Sequence, residues 1–222
     1  MQLDVAMLHG ADFVYAAGVL VDGEKRVLAS DVFPAESELV SRLLRSNVIP
    51  GGCSGVLART DLVREVGAFD ETLTYTEDWD LWIRLALKGR AGACPDVLVA
   101  HVEHAGNALL RYRPDVLSEF EYVLRKYAPR DEPVSIGAAR VQVLEWLAHE
   151  YLRAGHARDA ARAYVQIERE RRSLPHIARA AVALSGRPGR AARRVQRLLR
   201  SSAHEAADRF PPADPDWLRL YR

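Results

Sequence analysis

The sequence is poor in cysteine and lysine, and it has no long apolar run. Cys53 and Cys94 are the only cysteines, and they form neither a metal-type CxxC pair nor a disulfide framework. Lysine occurs only as Lys25, Lys88 and Lys126, a bias typical of genome composition rather than of function. No apolar stretch reaches the roughly 18–20 residues of a transmembrane helix, and no signal-type pattern opens the chain. We therefore expect a cytoplasmic protein.

The chain also lacks an excess of charge of either sign. It has 31 lysines and arginines against 30 acidic residues, a formal net charge of +1, so nothing in the overall charge predicts a nucleic-acid partner. The apolar fraction of 49% and the charged fraction of 27% are those of an ordinary globular protein. A chain of 222 residues is long enough for one sizeable core or two small ones.

What stands out is the stretch from Gly67 to Gly89, GAFDETLTYTEDWDLWIRLALKG, which predicts a turn followed by a helix. Thr74 or Thr76 can cap the helix, and acidic residues crowd its first turn. Asp80 and Arg84 are four residues apart and are expected to pair on its surface. The spacing typical of a buried helix face is shown by Trp79, Trp82, Ile83 and Ala86.

Asp78 is left at the start of this helix, just before two tryptophans, Trp79 and Trp82, and with no lysine or arginine adjacent in the sequence. A carboxylate next to apolar rings is desolvated, which prepares it to accept a proton. The alternative, which spacing alone favours, is that the first-turn acids only complement the helix dipole.

The motif GxFDE, followed after a short spacer by TEDWDLWIRLALKG, resembles the acceptor-side signature of family 2 glycosyltransferases, which are inverting enzymes of the GT-A fold. The resemblance extends from about Ala11 to about Tyr127. It implies an α/β fold, a partial GT-A domain with a Rossmann-like mixed sheet, followed by an α-helical C-terminal region. It also implies that Asp78, the aspartate of the Glu-Asp pair, is the general base, and that Glu77 lies near the acceptor or the donor sugar.

A glycine-dense turn, Asn47-Val48-Ile49-Pro50-Gly51-Gly52, precedes a short apolar strand. No Lys-Ser/Thr pair follows at the P-loop spacing, which excludes a phosphate-binding P-loop. A plain tight turn and a loop that lets a ligand approach the backbone stand as equal alternatives. The resemblance places this loop at the sugar pocket and so implies Gly51 and Gly52 as substrate-binding residues.

Two histidines lie at the end of the strand predicted over residues 93–102 and just beyond it. His101 and His104 are three residues apart, a weak metal signal, and a histidine on the surface or satisfied in the core is more common. The resemblance implies that a histidine shortly after this strand ligates a divalent metal, Mg²⁺ or Mn²⁺, or contacts the diphosphate. His104 is the better match, and His101 is the alternative.

The resemblance also implies a nucleotide-binding half with a DxD motif, which this chain does not show. Residues 1–50 contain neither a DxD nor an opening strand-helix-strand unit. We therefore expect the chain to be the acceptor-side portion of such an enzyme, truncated at its N-terminus.

Local patterns predict further elements on either side of the motif. Residues 12–21 are nearly continuously apolar, which predicts a buried strand, and Asp22-Gly23 predicts a turn into a second strand over residues 25–29. One apolar face predicts a helix over residues 34–46. Two more helical faces are predicted after residue 136: Val141, Leu144, Leu147, Ala148 and Tyr151, then Ala160, Ala163, Tyr164 and Ile167.

Three regions are predicted: a partial GT-A domain over residues 1–112, a helix and linker over 113–134, and helices over 135–222. The pattern LAHEYLRAGHARDAARAY resembles one tetratricopeptide-type hairpin, and a single unit is expected to pack on the catalytic core. Arginines recur at helical spacing over 190–200. A solvated helix face is the favoured interpretation of these, and contact with anionic lipid at the inner membrane face is the alternative.

The expected function is transfer of a sugar, with inversion, from a nucleotide-sugar donor to a hydroxyl of a carbohydrate or lipid-linked acceptor, in cell-surface polysaccharide or glycolipid synthesis. One alternative is a non-catalytic remnant of this fold that acts as a binding or scaffold module. A weaker one is a helical-repeat interaction protein built on residues 135–205.

Overall fold

A computed structural model of the chain describes residues 1–31, 34–102, 116–127, 136–153, 155–171 and 217–218. It has a mixed α/β structure with a four-stranded mixed sheet, which confirms the predicted class. The chain divides into two compact units. The first comprises Met1–His104, Tyr122–Ala128 and Phe210–Arg222, and the second comprises Ala105–Glu121 and Pro129–Arg209.

The sheet of the first unit is built around one buried strand. β1 (Phe13–Val21) pairs in parallel with β4 (Ala91–Val102) along its whole length. It pairs antiparallel with β3 (Val56–Ala58) through residues 13–15 and with β2 (Val27–Asp31) through residues 18–21. The nearly continuous apolar run of β1 fits this central place, because both of its faces are covered. The predicted strand and its hairpin partner are confirmed.

Four helices accompany this sheet among the described residues up to 102. They are α1 (Gln2–His9), α2 (Leu39–Leu43), α3 (Thr60–Glu65) and α4 (Glu77–Lys88), and 3₁₀ turns lie at Glu36–Glu38 and Gly52–Gly55.

The helix predicted over residues 34–46 is shorter than expected. Only residues 36–43 are helical, the first three of them as a 3₁₀ turn. Ala35 has an extended backbone and therefore stands before the helix. Beyond the helix, the side-chain oxygen of Asn47 accepts a hydrogen bond from the backbone N–H of Ile49, and a local bond of this kind favours a turn over helix.

The second unit contains a pair of long helices. α5 (Val116–Tyr127) has its first six residues in this unit and its last six in the first unit. α6 (Ile136–Arg153) and α7 (Ala157–Arg171) pack on each other. The connection between them contains Gly155, whose backbone is left-handed with a φ of 78°. The two apolar faces predicted for this hairpin are confirmed, since they form one buried core: Val141, Leu144, Ala148, Ala161, Ala163, Tyr164 and Ile167.

None of the helices in the described part of the chain has the length and apolar character that a bilayer crossing demands. The basic segment 190–200 lies outside the described residues, and its contact with lipid stays a prediction.

Candidate functional site

The predicted helix of the TEDWD motif is α4, which begins at Glu77 and has Thr76 as its N-cap residue. The hydroxyl of Thr76 makes no capping hydrogen bond, so only the position of the predicted cap is confirmed. The buried face is wider than the spacing predicts, and it leaves Ala86 partly buried. It comprises Trp79, Asp80, Leu81, Trp82, Ile83 and Leu85.

The carboxyl group of Asp78 is partly buried in the first turn of α4, and its two oxygens differ. Oδ1 accepts a hydrogen bond from the backbone N–H of Trp79 at 2.6 Å and another from Nδ2 of Asn47 at 3.3 Å. Oδ2 accepts none from the residues that the structure describes. Burial raises the pKa of Asp78 despite the two bonds, because desolvation disfavours the charged form more than the donors favour it. Desolvation of this carboxylate was the prediction from the sequence.

The glycine turn lies against this carboxylate. Gly51 and Gly52 both have left-handed backbones, with φ values of 69° and 54°. A Cβ placed on Gly52 would lie 3.3 Å from Oδ2 of Asp78, whereas one placed on Gly51 would lie 2.7 Å from Cγ1 of Val99 in β4. The structure therefore brings Gly52 to Asp78, while Gly51 contacts the sheet. Glycine is required at both positions by the backbone, and at Gly51 also by space.

Cys53, which the sequence did not single out, lies next to the same carboxylates. Its side chain is exposed. Desolvation raises the pKa of its thiol, and the negative charges of Asp78 and Glu77 raise it further. Glu77 is partly buried. Because its negative charge acts on the thiol of Cys53, it lies near the glycine turn together with Asp78. The one available signal in the sequence was that Cys53 directly follows Gly52.

Asn47 is the second residue that sequence reasoning missed. It follows α2 and reaches Asp78 across 31 positions of the chain. Trp79 explains how the two meet, because its indole Nε1–H donates to the carbonyl oxygen of Leu43 at 2.8 Å and is fully buried there. This bond fixes the start of α4 against the end of α2, the segment from which Asn47 extends.

The predicted pairing of Asp80 with Arg84 is confirmed, although Asp80 is buried instead of lying at the protein surface. The pairing is present, with Nε of Arg84 2.8 Å from Oδ2, but Asp80 is 0% exposed. A helix surface pair was expected from spacing alone, and spacing cannot show that α5 covers this side of α4. Nζ of Lys126 and the hydroxyl of Tyr127 both donate to Oδ1 at 2.8 Å.

These contacts make Asp80 the centre of a charge network. Arg84 also donates to the carbonyl oxygen of Val66 at 2.6 Å, and Lys126 also donates to Asp70 at 3.3 Å. Burial acts to raise the pKa of Asp80, but the bonds from Lys126, Tyr127 and Arg84 lower it overall. Burial and the bond to Asp80 raise the pKa of Tyr127 to about 12. Asp80 is therefore held as an anion whose role is to fix α4.

The predicted metal ligand, His104, lies outside the described residues. His101 is exposed at the end of β4. Within the described ranges no group of three or more histidine, cysteine, aspartate and glutamate side chains could hold a metal ion. The described residues do not fit the divalent metal that the resemblance implies, and binding of that metal stays a prediction.

A cleft of about 310 Å³ lies at the other end of α4. It is lined by the 3₁₀ turn at Glu36–Glu38, by α2, by the C-terminal end of α4 and by the residues that lead into β4. Ser37, Gly89 and Arg90 are among the lining residues. With a rise of about 1.5 Å per residue, a helix of twelve residues separates its two ends by more than about 15 Å. The cleft is thus not part of the surroundings of Asp78.

No protein-family model, no curated protein and no solved structure matches this chain. The resemblance to family 2 glycosyltransferases therefore rests on the motif from Gly67 to Gly89 and on the residues described above near it. The activity that the resemblance implies stays a prediction.

Proposed function

We propose that this chain carries the acceptor side of an inverting glycosyltransferase with a GT-A-like fold. Its donor is a nucleotide sugar, and its acceptor is a hydroxyl of a carbohydrate or of a lipid-linked sugar, as in cell-surface polysaccharide or glycolipid synthesis. The proposal places the protein in the cytoplasm, with a contact at the inner membrane face through residues 190–200.

The observation that carries the proposal is the state of Asp78. Its carboxyl group is desolvated, so its pKa is raised, and Oδ2 accepts no hydrogen bond from the described part of the chain. A general base needs a raised proton affinity and an oxygen that can reach the proton. First-turn acids that only complement the helix dipole need neither.

The chemistry follows from that oxygen. The acceptor O–H donates to Oδ2 of Asp78 and transfers its proton there as the acceptor oxygen attacks the anomeric carbon. The bond from that carbon to the diphosphate oxygen breaks, and the electron pair leaves with the nucleoside diphosphate. Attack opposite the leaving group inverts the anomeric centre. Glu77 and the backbone of Gly51 and Gly52 form the remaining wall available to the sugar in this proposal.

We assign no step to a divalent metal, because no group among the described residues could hold one. Mn²⁺ nevertheless belongs in the binding experiments, since the resemblance implies a metal at the diphosphate.

The thiol of Cys53 provides a local test of this proposal. It is exposed beside Asp78, whereas Cys94 is 0% exposed, so a thiol reagent applied to the folded protein should modify Cys53 selectively. We expect at least one member of a panel of UDP- and GDP-sugars, with Mn²⁺, to slow this modification in a saturable manner. The measurement is the rate of alkylation at mildly alkaline pH, followed by mass spectrometry.

A second thiol serves as the matched control. Ser37→Cys in a Cys53→Ser background places an exposed thiol at the cleft on the other end of α4. Its modification should not respond to the ligand that protects Cys53. Equal rates for Cys53 with and without every donor, in protein shown to be folded, would contradict the proposal and favour the non-catalytic binding module.

A further inference from the structure

Asn47 uses both ends of its side-chain amide. Oδ1 accepts from the backbone N–H of Ile49 at 3.3 Å, and Nδ2 donates to Oδ1 of Asp78 at 3.3 Å. Since the oxygen end is bound to an N–H donor, the nitrogen end is the one directed at the carboxylate. The turn after α2 therefore presents a donor of fixed orientation to Asp78.

The two hydrogen bonds that Asp78 accepts from other described residues both go to the same carboxylate oxygen. Oδ1 accepts from Trp79 and from Asn47, while Oδ2 lies above Gly52. The bond from Trp79 comes from the next residue in the chain and fixes the carboxylate relative to its own helix. The bond from Asn47 comes from another element and fixes it relative to the glycine turn.

We propose that Asn47 is a positioning residue, which holds Oδ1 of Asp78 so that Oδ2 is presented to the acceptor hydroxyl above Gly52. This inference rests on the proposed role of Asp78 as general base. Asn47 itself does not contact the reacting atoms in this account and acts only through the carboxylate.

The same bond also moderates the charge of Asp78. A hydrogen bond to an ionised carboxylate favours the ionised form, which offsets part of the desolvation. The titratable groups around Asp78 are Glu77 on the same helix and the thiol of Cys53 on the glycine turn. The thiol is neutral at the pH where a carboxyl group titrates, and the hydrogen bond from the neutral side chain of Asn47 favours the ionised form of Asp78.

The first arm of the test measures the carboxyl group directly. In protein labelled with ¹³C at aspartate carboxyl carbons, the signal of Asp78 is assigned by its loss in Asp78→Asn and is followed through a pH titration. Asn47→Ala should raise the pKa of Asp78 above that of the wild type, and Asn47→Ser, which keeps a donor, should raise it less. An unchanged pKa and chemical shift in folded Asn47→Ala would overturn the inference.

A measurement on the wild type covers the case in which Asn47→Ala does not fold. The side-chain N–H signals of Asn47 should titrate with the pKa of Asp78 and lose this dependence in Asp78→Asn. Signals that do not follow Asp78 would overturn the inference as well. Neither measurement needs transferase activity, so failure of the proposed function is seen separately, as a wild type that turns over no donor.

The second arm measures turnover, where a donor is found. Asn47→Ala should lower kcat about tenfold with little change in KM, which corresponds to a loss of about 1.4 kcal/mol of transition-state stabilisation. Asn47→Ser should recover part of the rate. Gly52→Ala should also lower kcat, because its Cβ would lie 3.3 Å from Oδ2. Gly10→Ala is the control, because Gly10 has a similar left-handed φ of 59° but a Cβ placed there would meet no atom within 4 Å. This variant carries the same kind of backbone strain and should leave kcat unchanged.

An equal loss in Gly52→Ala and Gly10→Ala, or full activity in Asn47→Ala, would contradict the inference that the position of Oδ2 is what these residues control.

Discussion

Replacing Asp80 with asparagine should lower the free energy of unfolding by about 3 kcal/mol, because the change leaves two cations without their buried anion. Asp80 is 0% exposed, while the side chains of Arg84 and Lys126 are 18% and 30% exposed. Their partial exposure places the expected loss at the lower end for a broken buried pair. Removing one partner of a fully buried ion pair lowers the free energy of unfolding by about 3–5 kcal/mol.

The pH dependence of this contribution follows from the direction of the pKa shift. The pKa of Asp80 is lowered below its ordinary 3.8 in the folded state, so the folded protein binds this proton less tightly than the unfolded chain. The contribution of the ionised Asp80 to stability is complete above pH 3.8 and is lost as the pH falls through the lowered pKa of the folded state. The difference between wild type and Asp80→Asn should therefore shrink in acid.

Denaturant unfolding monitored by tryptophan fluorescence measures this effect, since Trp79 and Trp82 lie in α4 beside Asp80. Asp70→Asn is the matched control. It removes the second partner of Lys126, but Asp70 is 23% exposed and its pair should contribute no more than about 1 kcal/mol. Equal losses in the two variants would show that burial of Asp80 does not have the energetic role described here.

Replacing Asp78 with asparagine should reduce the transfer rate by about 10²–10⁴-fold, the usual contribution of a general base. The side chain keeps its size, and the neutral amide cannot accept the proton of an acceptor hydroxyl. The measurement is the release of nucleoside diphosphate from the donor that protects Cys53, in the presence of acceptor sugars.

The same variant should be at least as stable as the wild type at neutral pH. The folded pKa of Asp78 is raised above 3.8, so ionisation of this carboxyl opposes folding as the pH rises from 3.8 through the raised value. Asparagine removes that charge and its desolvation cost. The gain should disappear below pH 3.8, where the carboxyl is protonated in both states.

Asp61→Asn controls for loss of a first-turn carboxylate, because Asp61 occupies the first turn of α3 and pairs with Arg59. Its activity should equal that of the wild type. If Asp78→Asn were fully active, or if it lost activity only together with stability, Asp78 would not be a general base.

Periodicity and turn residues predicted most of the described elements. The continuous apolar run of β1 predicted a buried strand, Asp22-Gly23 predicted the hairpin to β2, and the i, i+3, i+4 spacing predicted α4. These signals are local, because a strand or helix records in its own residues which faces are buried.

Contacts between distant segments were not predictable in this way. The burial of Asp80 depends on Lys126 and Tyr127, which follow it by 46 and 47 positions. Asn47 reaches Asp78 where the bond from Trp79 to Leu43 joins α4 to the end of α2. Motif spacing located the carboxylate of Asp78. The side chains that orient and surround it come from other elements, and residue spacing within one element does not predict how distant elements pack.

Calorimetric titration of nucleotide sugars into this chain tests the central claim, that the surroundings of Asp78 form a working sugar-transfer site. We would titrate a panel of UDP- and GDP-sugars with and without Mn²⁺ into the wild type, Asp61→Asn and Asp78→Asn. The predicted result is saturable binding of at least one donor that is the same in the first two proteins and changed in Asp78→Asn. Absence of heat across the panel, from folded wild-type protein, would contradict it.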